Sequence, residues 1–287
     1  MVDMILVTGA TGTIGSEVVR QLAARGEKVR ALTRDPAAAR VPSGVEAVRG
    51  HPGDRASVEG AMAGVAAAFL VGVFGPDDAE RDRGLVEAAR AAGVRRIVKL
   101  SSIGTGDPRL AGFGRWHLPG EEAVRGSGLE WTVLRPSSFA SNTLAWADAV
   151  REGTPAPHPM GEGKQGVVDP RDVSGAAART LLEPGHTGRT YTLTGPETIS
   201  ASGQAAVLGE ILGRPVTLLS PTADQRREQL LGAGLGADYA DSLMAGARFI
   251  EEGGNAVVTD DVPEILGRPA RSYREWAEDH RTAFGAQ

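Results

Sequence analysis

MILVTGATGTIG, residues 4–15, carries the strongest clue to the architecture of this chain. MILVT has the apolar character of a buried strand. It runs directly into the glycine-rich TGATGTIG, residues 8–15, which opens the amphipathic segment SEVVRQLAARG. Gly9 allows the chain to turn at the end of the strand. Gly12 lets the backbone approach a diphosphate, and Gly15 lets the helix lie close to the sheet. The helix N-terminus offers unpaired N–H groups and a partial positive charge to phosphate, with the hydroxyls of Thr8, Thr11 and Thr13 nearby. The alternative, a glycine-rich turn that binds nothing, is disfavoured because strand, loop and helix all occur in order.

Past this segment, apolar runs alternate with amphipathic ones. KVRALT, VEAV, AAAFLV, RRIVKL and EWTVL read as strands, with helices after Asp54, over about residues 78–92, and at PGEEAVRGSG. Strands this apolar are covered by helices on both faces, and parallel neighbours are joined by right-handed crossovers. The fold class is therefore α/β, a doubly wound parallel sheet. Beyond Gly153 the periodicity loosens, and EGTPAPHPMGEGKQG, rich in proline and glycine, reads as a long loop. This divides the chain into a nucleotide-binding domain over 1–153 and a smaller α/β lobe over 154–287, mainly substrate-binding, with some segments returning to the sheet. The lobe is expected to hold the helix DVSGAAARTLL started by Asp172, strands RTYTLT and PVTLL, the helix SGQAAVLGEILG, and helices through Met244, Phe249 and Trp276.

Composition removes several function classes. The 287 residues carry a net charge of -5, which disfavours a nucleic-acid or anionic-membrane binder. Having no cysteine, the chain offers no thiolate nucleophile, disulfide or sulfur-ligated metal. MVDMILVTGA does not read as a signal peptide, and the apolar run GVAAAFLVGVFG falls short of the roughly 20 residues of a membrane span, so a cytoplasmic protein is expected. The five histidines show no metal-ligand spacing, and no G-x-S-x-G elbow occurs, so neither metal nor hydrolase chemistry is expected.

The nucleotide's identity turns on ALTRDP at the end of the second strand. Arg34, roughly 20 residues past the glycines, suits the 2′-phosphate of NADP, whereas Asp35 turned inward would suit the ribose hydroxyl of NAD. NADP is favoured.

The glycine loop, IVKLSSIG, SGLEWTVLRPSSFASN, VDPRDV, TGRTYTLTGPE and EILGRPV together resemble the NmrA-like branch of the atypical short-chain dehydrogenases, including its NAD(P)H:quinone oxidoreductase-like members. The resemblance covers almost the whole chain and implies an NADP-binding Rossmann domain with a C-terminal substrate lobe. By position it implies that Gly9, Thr11, Gly12, Thr13, Ile14 and Gly15 surround the pyrophosphate and Arg34 the adenosine phosphate. It likewise places Val71, Gly72, Val73 and Phe74, with Ser101 and Ser102, along the nicotinamide ribose, and Pro136, Ser137, Ser138 and Phe139 beside the nicotinamide.

Two departures from the family pattern stand out. An acid often follows the glycine after the third strand, where this chain has His51, and the usual tyrosine with lysine four residues later is absent. Trp116 and His117 occupy the tyrosine's neighbourhood, with Gly120 and Glu121 in that of the lysine. His117 is thus the candidate proton donor, against the alternative of a helix cap, and Thr105 a candidate hydroxyl. Phe74, Phe113, Trp116, Phe139 and Trp146 are expected to wall a planar substrate with His117. The expected activity is NADPH-dependent hydride transfer to a small cyclic or aromatic acceptor, a quinone, enone or imine, by a monomer or homodimer. A non-catalytic NADP sensor, or a specialised-metabolite enzyme of the same fold, are the alternatives.

Overall fold

The computed structural model describes residues 3–72, 75, 78–110, 112–158, 160–219 and 221–286. Seven strands form its sheet: β1 (Met4–Val7), β2 (Lys28–Thr33), β3 (Glu46–Arg49), β4 (Val65–Leu70), β5 (Arg96–Leu100), β6 (Glu130–Pro136) and β7 (Arg189–Leu193). All the pairings are parallel, in the order β3-β2-β1-β4-β5-β6-β7. The chain winds outward from β1 in one direction, then crosses to β4 and winds in the other. That reversal opens a crevice at the carboxyl ends of β1 and β4, where such sheets bind ligands.

Helices cover both faces, as the apolar strands require. On one face α1 (Thr13–Ala24) packs against α6 (Pro170–Leu182), and α6 against α10 (Asp261–Leu266), over a core containing Val7, Val18, Leu22, Phe69, Val173 and Ile265. On the other lie α2 (Arg55–Met62), α3 (Ala79–Ala91) and α4 (Leu118–Arg125), over Leu6, Met62, Leu70, Leu85, Ile97 and Val124. The remaining helices, α5 (Ala147–Glu152), α7 (Ala201–Leu212), α8 (Ala223–Gly232), α9 (Ala237–Glu251) and α11 (Tyr273–Asp279), build the C-terminal side. A third core around Trp146, Leu208, Tyr273, Trp276 and Phe284 holds α5, α7 and α11 together. Although α6 and β7 follow Gly153 in sequence, they belong to the sheet layer, β7 pairing with β6.

Two local expectations are corrected. PVTLL makes no strand among the described residues; Leu218 forms only an isolated bridge to Ala156. The cap of α6 is Asp169, whose side chain accepts from the Arg171 N–H, while Asp172 lies inside the first turn. Pro170 explains the shift, since proline fits the first helical position and sets the cap one residue before it. The wholly buried Asp172 carboxylate instead receives Arg268 (2.5 Å) and Arg271, tying α6 to the segment that leads into α11.

Candidate active site

The cleft begins at the glycine turn. Gly9 adopts φ +62°, which a side chain would strain. A Cβ on Gly15 would lie 2.1 Å from the Gly9 carbonyl oxygen, so only glycine lets α1 start this close to the turn. The N-cap of α1 is Gly12, no side chain caps the helix, and no acidic residue occupies its first turn. The N–H groups at this end are thus left for an anionic ligand, and the cradle fits a dinucleotide diphosphate. Thr8 does not serve the phosphate. It is fully buried, and its Oγ1 donates to the Val71 carbonyl (3.0 Å) and accepts from the Val71 N–H (2.6 Å), stitching β1 to the end of β4.

Three chambers follow one another along the crevice. The first, about 560 Å³, is lined by Gly9, Thr11, Gly12, Arg34, His51 and Arg81 among others. The second, about 320 Å³, shares Gly9 and Gly12 with it and adds Thr13, Ile14, Gly15, Val71, Ser101, Ser102, His117, Pro136, Ser137 and Phe139. The third, about 330 Å³, shares Ser102, Ser137 and Phe139 with the second and continues to Ser138, Leu243, Gly246, Phe249, Ile250 and Asn255.

At the adenosine end, Arg34 is exposed and lines the chamber, whereas Asp35 is engaged locally, its Oδ1 accepting from the Ala37 N–H at 3.1 Å. The geometry thus aims a cation at the chamber and uses the acid to close a turn. Arg81 on α3, which sequence reading did not single out, lines the chamber as well, ion-paired with Asp78 beside it. His51 accepts from the Gly53 N–H at Nδ1 (3.0 Å), an arrangement that forms the loop wall of the chamber.

The middle chamber is backed by charge. Glu121, on α4 and fully buried, accepts from Arg135 (2.8 and 2.6 Å), Arg125 (2.6 Å) and Ser101 Oγ (2.5 Å). Burial pushes its carboxyl upward, but the hydrogen bonds from Arg135 and Ser101 outweigh that and hold it below the usual carboxylate range. Glu121 is therefore more than a complement to a positive helix end: it locks the end of β5 to α4 and β6. Behind it lies a second ion pair, Lys99 on β5 with Asp82 on α3, both side chains almost wholly buried. Gly120 leaves room for it: a Cβ there would come within 2.6 Å of both Lys99 Cε and Asp82 Cβ.

His117 stands at the N-cap position of α4 but makes no capping bond with its side chain. Its Nδ1 is 3.4 Å from Lys99 Nζ and 3.7 Å from Asp82 Oδ2, and its ring lines the middle chamber. Burial pulls the imidazole below its ordinary titration range, and Lys99 adds to this against the opposing pull of Asp82. Near neutral pH the ring is uncharged, so it acts as a hydrogen-bonding group and not as an imidazolium acid.

Several expected residues are placed elsewhere. Thr105 is buried behind Ser101, its hydroxyl donating to the Ser102 carbonyl at 2.8 Å, a loop role that keeps it out of the chamber linings. Trp116 is buried against the Tyr239 ring, centroids 5.4 Å apart, and Trp146 sits in the third core edge-on to His158. Neither lines the chambers; both hold the lobe. Gly72 faces α3, where a Cβ would meet Asp82 Oδ1 at 2.7 Å. Val73 and Phe74, and the side chain of Phe113, lie outside the described residues. Of the expected aromatic wall, Phe139 lines the chambers, and Phe249 from α9 joins it.

A family profile described as NAD(P)H-binding matches residues 9–184, the span of the glycine loop, the middle chamber and α6. The chain belongs to this NAD(P)H-binding family. The resemblance drawn from its motifs to quinone oxidoreductase-like, NmrA-like proteins holds. It is 41% identical over 286 residues (99% of this chain, 100% of the relative) to (4-alkanoyl-5-oxo-2,5-dihydrofuran-3-yl)methyl phosphate reductase of Streptomyces griseus subsp. griseus. It is 37% identical over 285 residues (99% and 100%) to NAD(P)H azoreductase of Xenophilus azovorans. Its structure resembles that of an NADPH-dependent quinone oxidoreductase from Escherichia coli complexed with NADPH, with TM-score 0.83, 28% identity, and 96% and 99% of the two chains covered. The protein is an oxidoreductase of NADP(H), and no helix among its described residues is long and apolar enough to cross a membrane.

Proposed function

We propose that the protein reduces small, uncharged cyclic or aromatic acceptors such as quinones, enones or imines, with His117 assisting at the acceptor. The observation that carries this reading is the junction of the second and third chambers. Ser102, Ser137 and Phe139 belong to both, so the space suited to the nicotinamide end of a dinucleotide opens directly on a chamber of acceptor size. NADPH, when bound, supplies hydride, and the protein's part is to orient the acceptor and stabilise charge.

The third chamber matches such an acceptor. Ile103, Leu110, Met160, Leu243, Phe249 and Ile250 give it apolar walls, and no charged side chain appears among its described lining residues. At its inner end Ser137 Oγ donates to Asn255 Oδ1 (3.0 Å), and Asn255 Nδ2 and Ser138 Oγ both donate to Gln165 Oε1 (3.0 and 2.5 Å). This buried polar cluster fixes the chamber's floor and offers a hydrogen-bonding pole to a carbonyl or ring nitrogen. Reduction adds hydride to one atom of the conjugated system and a proton, drawn from solvent, to the other. His117, in the wall of the adjoining middle chamber, steadies the charge that develops between those events. The relatives are named for a dihydrofuranone methyl phosphate, an azo compound and a quinone; each name holds a conjugated acceptor, and the first carries a charged phosphate besides.

The test is rapid mixing of NADPH-loaded protein with a panel of uncharged quinones, cyclic enones and imines, in wild type and His117→Phe. Turnover of at least one acceptor is expected, slowed about 100-fold by the substitution with NADPH affinity unchanged. Equal rates in the two proteins would remove His117 from the mechanism. Failure of every acceptor despite tight NADPH binding would favour a cofactor sensor.

A further inference from the structure

The Lys99–Asp82 pair is hard to explain as a source of stability. Both side chains are about 1% exposed, and burying two charges is costly unless every polar atom is satisfied. Here neither Asp82 oxygen accepts a well-aligned hydrogen bond among the described residues, and the carboxylate's contact with Lys99 is an ion pair through Oδ2. Two glycines give the pair its room: a Cβ on Gly72 would come within 2.7 Å of Asp82 Oδ1, and one on Gly120 within 2.6 Å of Lys99 Cε. An apolar pair of the same volume would satisfy the packing at less cost. What an apolar pair would not do is act on the ring that lies against it.

We propose that Lys99 and Asp82 position His117, with Lys99 directing the ring's single proton to Nε2 and so toward the cleft. The argument rests on donor counting. An ammonium has three N–H donors and no acceptor. Lys99 Nζ lies beside three acceptors: Asp82 Oδ2, the Leu100 carbonyl at 2.9 Å and His117 Nδ1 at 3.4 Å. Because Nζ can only donate, Nδ1 must present its lone pair, and a neutral imidazole then carries its proton on Nε2. With Nδ1 turned to the buried pair, the Nε2 edge is the one left for the middle chamber, whose wall His117 forms.

Asp82 holds the ammonium in place, but taken alone it would draw the proton to Nδ1, from which its Oδ2 is 3.7 Å away. The charged groups that act on the ring are Lys99 from β5, Asp82 from α3 and Glu121 from its own helix α4. Glu121 is committed to Arg125 and Arg135, so Lys99 and Asp82 set the balance. Lys99 is thus a positioning residue and touches no substrate. The inference builds on the proposed role of His117 but concerns its proton, which can be observed without turnover.

The experiment is nitrogen-15 NMR of the His117 ring across pH in the cofactor-free protein, wild type against Lys99→Met. The wild type is expected to show a protonated Nε2 and a bare Nδ1, with a titration midpoint below 6.5. In Lys99→Met the proton should move to Nδ1, facing Asp82, and the midpoint should rise by about one pH unit or more. A second variant, Lys99→Met/Asp82→Val, replaces the pair with apolar side chains and should give a mixture of the two tautomers. A wild-type ring protonated at Nδ1 overturns the proposal whether or not either variant folds. So does a variant that keeps the wild-type tautomer and midpoint. If His117→Phe leaves turnover intact while these shifts appear, the histidine's role in reduction fails and the positioning stands.

Discussion

Replacing Gly15 with alanine sets two effects of opposite sign against each other. Gly15 is inside α1, and a glycine-to-alanine change in a helix interior ordinarily stabilises by about 1 kcal/mol. Here the new Cβ would stand 2.1 Å from the Gly9 carbonyl oxygen, 2.7 Å from its carbon and 3.1 Å from Ala10 Cα. All three are backbone atoms, so no rotamer change relieves the clash, and the turn must move away from the helix by more than an ångström. Hydrogen bonds to charged groups are worth about 1.5–3 kcal/mol each, and a displacement of this size breaks at least one between the loop and a diphosphate. NADPH affinity should therefore fall about 10- to 100-fold. Gly84, exposed on α3, is the control, because a Cβ added there would meet nothing within 4 Å among the described residues: Gly84→Ala should stabilise slightly and leave affinity unchanged. Calorimetric titration with NADPH, together with thermal unfolding with and without it, reads both terms. A Gly15→Ala protein that binds NADPH as tightly as wild type would show that this close approach is not what holds the diphosphate.

Other consequences follow from the chambers and their supports. Arg34→Ala and Arg81→Ala should each weaken NADPH by about 1.5–3 kcal/mol while leaving NADH nearly unchanged, as read by competitive titration. Gly246→Leu, which projects from α9 into the third chamber, where among the described residues an added Cβ meets only Met160 Cε within 4 Å, should lower acceptor kcat/KM about tenfold or more with NADPH affinity intact. Glu121→Gln should cost about 2–3 kcal/mol in denaturant unfolding at neutral pH, less than a fully buried pair, because Arg125 and Arg135 keep some contact with water. Because the folded state holds this carboxyl below 4.5, its stabilisation is complete above that pH and lost as pH falls through the folded value; the variant should lose that acid dependence.

The fold was legible because its signals are local. A strand, a glycine turn and a helix in succession identify the nucleotide loop, and apolar runs spaced by amphipathic ones identify the parallel sheet. Arg34 was legible for the same reason, lying at the end of its strand. The missed features depend on distance. Asp82 sits in AERDRG, which reads as a solvated helix face, and only the fold brings it under Gly72 and against Lys99. Lys99 did leave a trace, as a charge directly following the apolar IV of the strand RIVKL. The wall contributed by Leu243, Gly246, Phe249 and Ile250 comes from a helix more than 100 residues beyond Phe139, and periodicity cannot say which face meets a cleft. Trp116 and Trp146 drew attention as aromatics near strand ends, but large rings more often pack than bind, and here both are buried. Asp169 was identifiable as a cap from Pro170 alone.

The decisive measurement is a single turnover with NADPH carrying deuterium at the transferable position, mixed with uncharged quinones, cyclic enones and imines. Oxidation of the bound cofactor by at least one of them is expected, with deuterium recovered on carbon of an enone or imine product where that acceptor reacts. Tight NADPH binding with no oxidation by any acceptor would rule out reduction of this acceptor class.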